Sequence, residues 1–229
     1  MTLVIGSVAS CSEMFPIHHG NGKLIIYEKN VSPFEKIDCS GSAHVHYYAS
    51  DEYRAVVTVD ANLEDFTEVY VRNKTLHIRS KSGYVLHCTK FLVEVYCPVL
   101  TDVFLSGSGN FNGMDIIVTS SFATSISGSG NIYGTIECDN FSTKMSGSGK
   151  VELTGAAKDA NIVISGSGKF SGSAFLTKEA TVIISGSGIV DIWVENHLKA
   201  NISGSGNINY RGEPTIVSSI SGSGHIRKI

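Results

Sequence analysis

His44 and His46 flank Val45, and residues two apart in a strand share a face, so a third ligand there would complete a metal site. No third ligand stands near them in the sequence, so they read as solvated strand histidines and no metal is expected. Carboxylates are the next set with chemistry to offer, because a sugar-cleaving site needs two or three of them converging on one bond. The acidic residues, among them Asp102, Asp115, Glu137, Asp139, Glu152, Asp159, Asp191 and Glu195, form no adjacent aspartate pair and do not recur at one repeat position. Two carboxylates on neighbouring strands of a stacked fold can still meet. The serine-glycine clusters resemble phosphate-binding turns, but none is followed by the Lys-Ser/Thr pair and helix of such a loop. They also lack the aspartate of glycine-rich calcium repeats, and no histidine stands ready to activate their serines. No catalytic residue and no cofactor are therefore expected. Tyr47, Tyr48, Tyr53, Tyr70, Tyr84, Tyr133, Trp193 and Tyr210 are the aromatic candidates for stacking on sugar rings, Tyr133 and Trp193 foremost because they lie in the variable stretch after the motif, set against core filling as the ordinary role of such side chains.

Cysteine offers a different chemistry. Leu3-Val4-Ile5 and Val8-Ala9-Ser10-Cys11 read as the end of a bacterial lipoprotein signal, with Cys11 diacylated and becoming the mature N-terminus. No Lys or Arg precedes this segment and its apolar part is short, which would place the true start upstream of Met1. The alternative is an ordinary free cysteine. Cys39, Cys88, Cys97 and Cys138 then remain, and four cysteines allow three pairings among which sequence does not choose. An envelope location would permit disulfides, while buried free thiols acting as small hydrophobes fit equally well.

The elements that must position these residues are announced by a repeat. Ser-Gly-Ser-Gly begins at Ser106, Ser127, Ser146, Ser165, Ser185, Ser203 and Ser221, so the successive spacings are 21, 19, 19, 20, 18 and 18 residues. A degenerate copy, Ser40-Gly41-Ser42-Ala43, comes earlier. The residue before each full motif is apolar (Leu105, Ile126, Met145, Ile164, Ile184, Ile202, Ile220), and so is the second residue after it, from Phe111 to Ile226. Counting by twos gives apolar, Gly, Gly, apolar on one side and mostly Ser, Ser and Asn or Lys on the other. That is a strand with one dry and one wet side. The glycines predict a corner in each coil, or else a straight strand with room for a bulky neighbour. A period of 18–21 residues holds two or three short strands and suits one coil of a β-solenoid; a propeller blade needs about twice that.

Upstream, Val56-Val57-Thr58-Val59, Glu68-Val69-Tyr70-Val71, Thr75-Leu76-His77-Ile78 and Phe91 to Tyr96 are strand-length and rich in β-formers. This half reads as an insert-bearing first coil that caps the open end, a protection that solenoids generally need. The expected organisation is a lipoprotein signal remnant and linker over 1–22, then one β-helix domain over 23–229. Its irregular N-terminal coils span 23–105 and its regular repeats 106–229. With 18 Lys and Arg against 21 Asp and Glu, the chain lacks the basic field of a nucleic-acid binder. It also has no apolar run long enough to span a bilayer as a helix, so membrane contact is expected only through a lipid anchor.

From about Phe34 onward the chain resembles the auto-transporter adhesin, head GIN domain family. The resemblance rests on Phe34-Glu35-Lys36-Ile37 before the degenerate motif, on Lys74 to Ile78, on Val95-Tyr96-Cys97-Pro98-Val99-Leu100, and above all on Gly-Ser-Gly-Asn-Ile at Gly128 to Ile132 and Gly204 to Ile208. It implies an all-β, right-handed parallel β-helix on a secreted or lipid-anchored protein of the Bacteroidetes-type cell envelope, and it carries over no catalytic residue. The function expected is a non-catalytic envelope module, outer-membrane, periplasmic or surface-exposed, that binds a polysaccharide, a cell-surface protein or itself. The alternatives are a carbohydrate-active β-helix enzyme and an oligomerising scaffold.

Overall fold

The first glycine of each full motif ends a strand and turns the chain. In the computed structural model, which describes residues 16–229, this glycine takes a φ of +121° to +125° in all seven copies. That region is open to glycine and strained for residues with a Cβ. The strand resumes just after the second glycine. The motif is therefore the expected corner and not a straight strand, and its glycines also allow a close approach between coils. At Gly166 an added Cβ would lie 2.7 Å from the carbonyl oxygen of Gly147 on the coil below. At Gly188 it would lie 2.7 Å from Cγ2 of Ile164, the apolar residue that leads the preceding motif. The ladder continues through the bend, with the Ser129 amide donating to the Gly107 carbonyl at 2.9 Å and Ser148 to Gly128 at 3.0 Å.

Among the described residues nineteen strands account for 74%, and parallel strands stack into a β-solenoid of about seven turns. The N-terminal part comprises β1 (Ile17–His19), β2 (Leu24–Asn30), β3 (Lys36–Gly41), β4 (His44–Ala49), β5 (Arg54–Asp60), β6 (Thr67–Arg72), β7 (Thr75–Ser80), β8 (Val85–His87) and β9 (Phe91–Cys97). The regular part follows as β10 (Asp102–Gly107), β11 (Asn110–Gly113), β12 (Ile117–Gly128), β13 (Asn131–Gly147), β14 (Lys150–Gly166), β15 (Lys169–Gly186), β16 (Ile189–Gly204), β17 (Asn207–Arg211), β18 (Thr215–Gly222) and β19 (His225–Lys228). Register is in phase with the motif: Ser106 lies over Ser40 and under Ser127, and Gly147 pairs Gly166, which pairs Gly186. The residues leading the motif from Leu105 to Ile202 are at most 3% exposed, and those two places after it from Phe111 to Ile208 at most 1%. Burying each such side chain is worth about 1.5–3 kcal/mol, and the serines between them face solvent.

The degenerate copy at Ser40 opens the coil whose return path is the long excursion β5–β9. Within that excursion β7 and β9 add a further parallel rung beneath β3 and β4. Antiparallel β6, β5 and β2 then close the end. The excursion is thus the cap that the sequence leads one to expect. Residues 17–19, read from sequence as linker, form β1 and pair in parallel with β8. Asp60 fastens this pair of strands. It is fully buried, and it accepts hydrogen bonds from the backbone amides of Gly22 at 2.8 Å and Thr89 at 2.7 Å. Burial alone would raise its pKa, but these hydrogen bonds outweigh it and hold the carboxyl below its ordinary value.

Candidate functional site

One stretch of each coil from β12 to β16 is dented inward, with a buried residue between two outward-facing ones. Stacked in register, these dents make a groove of about 660 Å³ that runs along the solenoid over β12 to β16. One wall is the column Ser121, Asn140, Asp159, Glu179, His197, in which each residue is the register partner of the next. The floor includes Phe141, Ala160 and Ala180, 2–4% exposed. The opposite wall carries Ser142, Asn161, Thr181 and Lys199. Rungs of a sheet lie about 4.8 Å apart, so Asp159 and Glu179 present two carboxylates one rung apart. Among the described residues neither belongs to an ion pair, whereas Asp139 is held by Lys158, and Asp191 by Lys169 at 3.1 Å.

Of the acidic candidates named from the sequence, only Asp159 enters this groove. Its partner Glu179 and the next residue of the column, His197, are ones that sequence reasoning passes over. A signal for them exists, since Asn140, Asp159, Glu179 and His197 are spaced 19, 20 and 18 residues apart, which is the period of the motif itself. The remaining carboxylates are engaged elsewhere or stand apart. Asp102 pairs with Lys36 at 3.2 Å and Asp115 accepts the Ala49 amide at 3.0 Å. His44 and His46 lie on the strand face that comes after the motif, where His44 meets the Asn110 amide at 3.2 Å. Among the described residues no group of three or more His, Cys, Asp or Glu is placed to hold a metal. Trp193 is 40% exposed and Tyr133 half-buried, whereas Tyr47 is a core residue.

Cys39, Cys88, Cys97 and Cys138 are all free thiols. Burial pushes Cys39 and Cys97 up to about 12 and Cys138 to about 11, which holds them as inert thiols. Cys88 lines a second pocket, of about 670 Å³, where Tyr84 to Cys88 faces the base of the serine-glycine corner. Burial raises its pKa too, so this pocket offers no thiolate nucleophile. Cys11 lies outside the described residues. The long groove is the feature that presents several polar groups to one ligand.

Residues 33–214 match the model of a family described as "Putative auto-transporter adhesin, head GIN domain". No curated protein matches the chain. Among solved structures, a "Putative lipid binding protein" from Parabacteroides distasonis ATCC 8503 is similar at 29% identity and a TM-score of 0.81, over 93% of this chain and 100% of its own. A "putative adhesin" from Bacteroides fragilis NCTC 9343 has 23% identity and a TM-score of 0.86 over the same shares, and this likeness bears on the fold alone. A second "putative adhesin" from Parabacteroides distasonis has 25% identity and a TM-score of 0.78, again over 93% and 100%.

Proposed function

Because the chain belongs to the "Putative auto-transporter adhesin, head GIN domain" family, we propose that it is a non-catalytic module of the cell envelope whose solenoid flank binds a polysaccharide or a cell-surface protein. The groove carries this reading: its polar groups are spread along five rungs and change type from rung to rung, as suits contact with an extended partner. An anchor at Cys11 would tether the module to a membrane. Adhesin families work at the cell surface, and the charge balance suits that place better than a nucleic-acid partner.

The test incubates the full chain with a panel of plant, host and bacterial polysaccharides and with intact cells, scoring retention and new chain ends together. Retention without new ends supports the reading. New ends that vanish in Asp159→Asn would make this an enzyme working through its neighbouring carboxylates. No retention on any polysaccharide or cell, joined to a multimeric size in solution, would favour a self-assembling scaffold.

A second reading, contact with lipid, draws on the relative described as lipid binding and on the knuckle formed by Met114, Ile116 and Val118, which are 51–64% exposed. Exposed apolar clusters mark contact sites. Sedimentation with anionic and neutral vesicles, lost in Met114→Ser/Ile116→Ser, would support it, and equal sedimentation of that variant would end it.

A further inference from the structure

The groove has a geometry that selects among the partners of a surface-binding module. Resting on that surface-binding reading, we infer that the groove is a binding site for an uncharged, extended polysaccharide chain lying parallel to the solenoid axis, with one sugar ring to each rung.

Successive wall residues repeat at the sheet spacing of about 4.8 Å, close to the length of one ring in an extended β-linked chain. Such a chain laid along the dent meets a fresh pair of wall side chains at each ring: Asn140 and Ser142, then Asp159 and Asn161, then Glu179 and Thr181, then His197 and Lys199. These are amide, carboxylate, hydroxyl, imidazole and ammonium groups that accept from or donate to sugar hydroxyls. The floor between the walls is buried and carries no polar side chain at Phe141, Ala160 and Ala180, so it takes the apolar face of a ring at no hydrogen-bonding cost.

Charge narrows the class. Asp159 and Glu179 stand one rung apart, unpaired, at the middle of the groove. Like charges directly opposite in a sheet are destabilising, and a ligand that offers hydroxyl donors to both relieves the pair through charge-assisted hydrogen bonds. A uronate or sulfated chain would instead bring further negative charge to this middle pair, and Lys199, the one lysine or arginine of the lining, stands at the groove's end on the β16 rung, beyond the carboxylate pair. The two wall columns, two strand positions apart on each rung, border a recess of about 660 Å³.

The experiment is retention and calorimetric titration of the full chain with neutral β-linked oligosaccharides of glucose, mannose, xylose and N-acetylglucosamine of increasing length, with polygalacturonate as the anionic probe. Asn161→Trp fills the groove from an exposed wall position, and Thr181→Arg does so one rung away. Circular dichroism melting shows whether each variant keeps the fold. Expected are binding to at least one neutral series, affinity that climbs with length until about five rings occupy the five rungs, and a loss of about tenfold or more in either wall variant. Asp159→Lys/Glu179→Lys should transfer retention to polygalacturonate. Retention by polygalacturonate alone, affinity that levels off at the disaccharide, or neutral-glycan binding that both folded wall variants preserve would each overturn the groove assignment while leaving the surface-binding reading intact. Cells that retain the chain while no oligosaccharide does would overturn it in favour of a protein partner. Failure on cells and glycans together would remove both.

Discussion

Gly41 and Gly166 hold the same place in the same motif, yet the molecule makes different demands on them. Both have positive φ, +90° and +125°. An added Cβ at Gly41 would meet nothing within reach, whereas at Gly166 it would press on the carbonyl of the coil below. The reason lies in the register. Beneath the first copy, β3 pairs with β7 only as far as Cys39 with Ile78, and β4 meets β9 from His44 with Leu92. Residues 40–43 therefore have no ladder under them. That also explains why the second glycine has become Ala43 here, fully buried and free of any clash from below. The corner needs one glycine for its dihedral angle; the stack needs both.

The largest expected effect comes from this contrast. Gly41→Ala should lose only the backbone strain of a positive-φ residue, about 1–3 kcal/mol. Gly166→Ala should lose that and an overpacking cost of about 1–3 kcal/mol more. Urea unfolding of the two variants measures the gap directly. Equal midpoints would mean that the coils give way easily, and that glycine is retained for the corner alone.

A smaller effect separates the cap from the coils. In the regular coils register is held by long ladders, but β1 and β8 meet over only three residue pairs. They depend on the buried Asp60 carboxylate, which binds an amide just past the end of each, at Gly22 and Thr89. Asp60→Asn should weaken this corner by about 1.5–3 kcal/mol, the range for hydrogen bonds to a charged group. Amide exchange should speed up at residues 17–22 and 85–90 and stay unchanged in β13 to β16. The pH dependence has a definite sign. A carboxyl whose folded pKa is lowered stabilises fully above its unfolded value, about 3.9, and that contribution fades as pH falls through the folded pKa. The native cap should therefore loosen in acid before the coils do, and Asp60→Asn should remove this acid step. An acid step that survives the substitution would assign it to another group.

The same two regions differ in how far their sequence discloses them. The coils repeat, so apolar residues two places either side of the glycines, with Ser between, reveal strand, corner and inward face without any long-range information. The cap has no period. Its strands are recognisable as strands from their β-branched and aromatic content, but β1 has three residues and a partner more than 60 positions away. Nothing local in Ile17-His18-His19 predicts that pairing. The groove stands between these cases. Its columns obey the motif's period, but Asp159 and Glu179 sit in the stretch between motifs, where side chains vary and an acidic residue reads as one more solvated charge. Counting back from the motif recovers the column, since each member stands six residues before the first serine of its own copy, but nothing in that count says that this column borders a recess.

The smallest effect probes the interior of the coils. Thr124 donates its hydroxyl to Thr143 on the next rung at 2.7 Å, both buried, in a column otherwise filled by Val103, Ile162, Val182 and Ala200. Thr124→Val alone strands the hydroxyl of Thr143 and should lower stability by roughly 1–2 kcal/mol. Adding Thr143→Val removes the stranded group and leaves an apolar column like its neighbours, so the double variant should return close to the parent. Melting of the two single variants and the double variant forms a complete cycle. Losses that simply add would show that the hydroxyls are held by partners other than each other. Recovery in the double variant would show that stacking tolerates any side chain of the right shape at this inward position, so long as neither rung is left with an unanswered polar group. The glycines allow no such exchange, because the atom that an added Cβ meets at Gly166 is backbone, which no compensating side chain can remove.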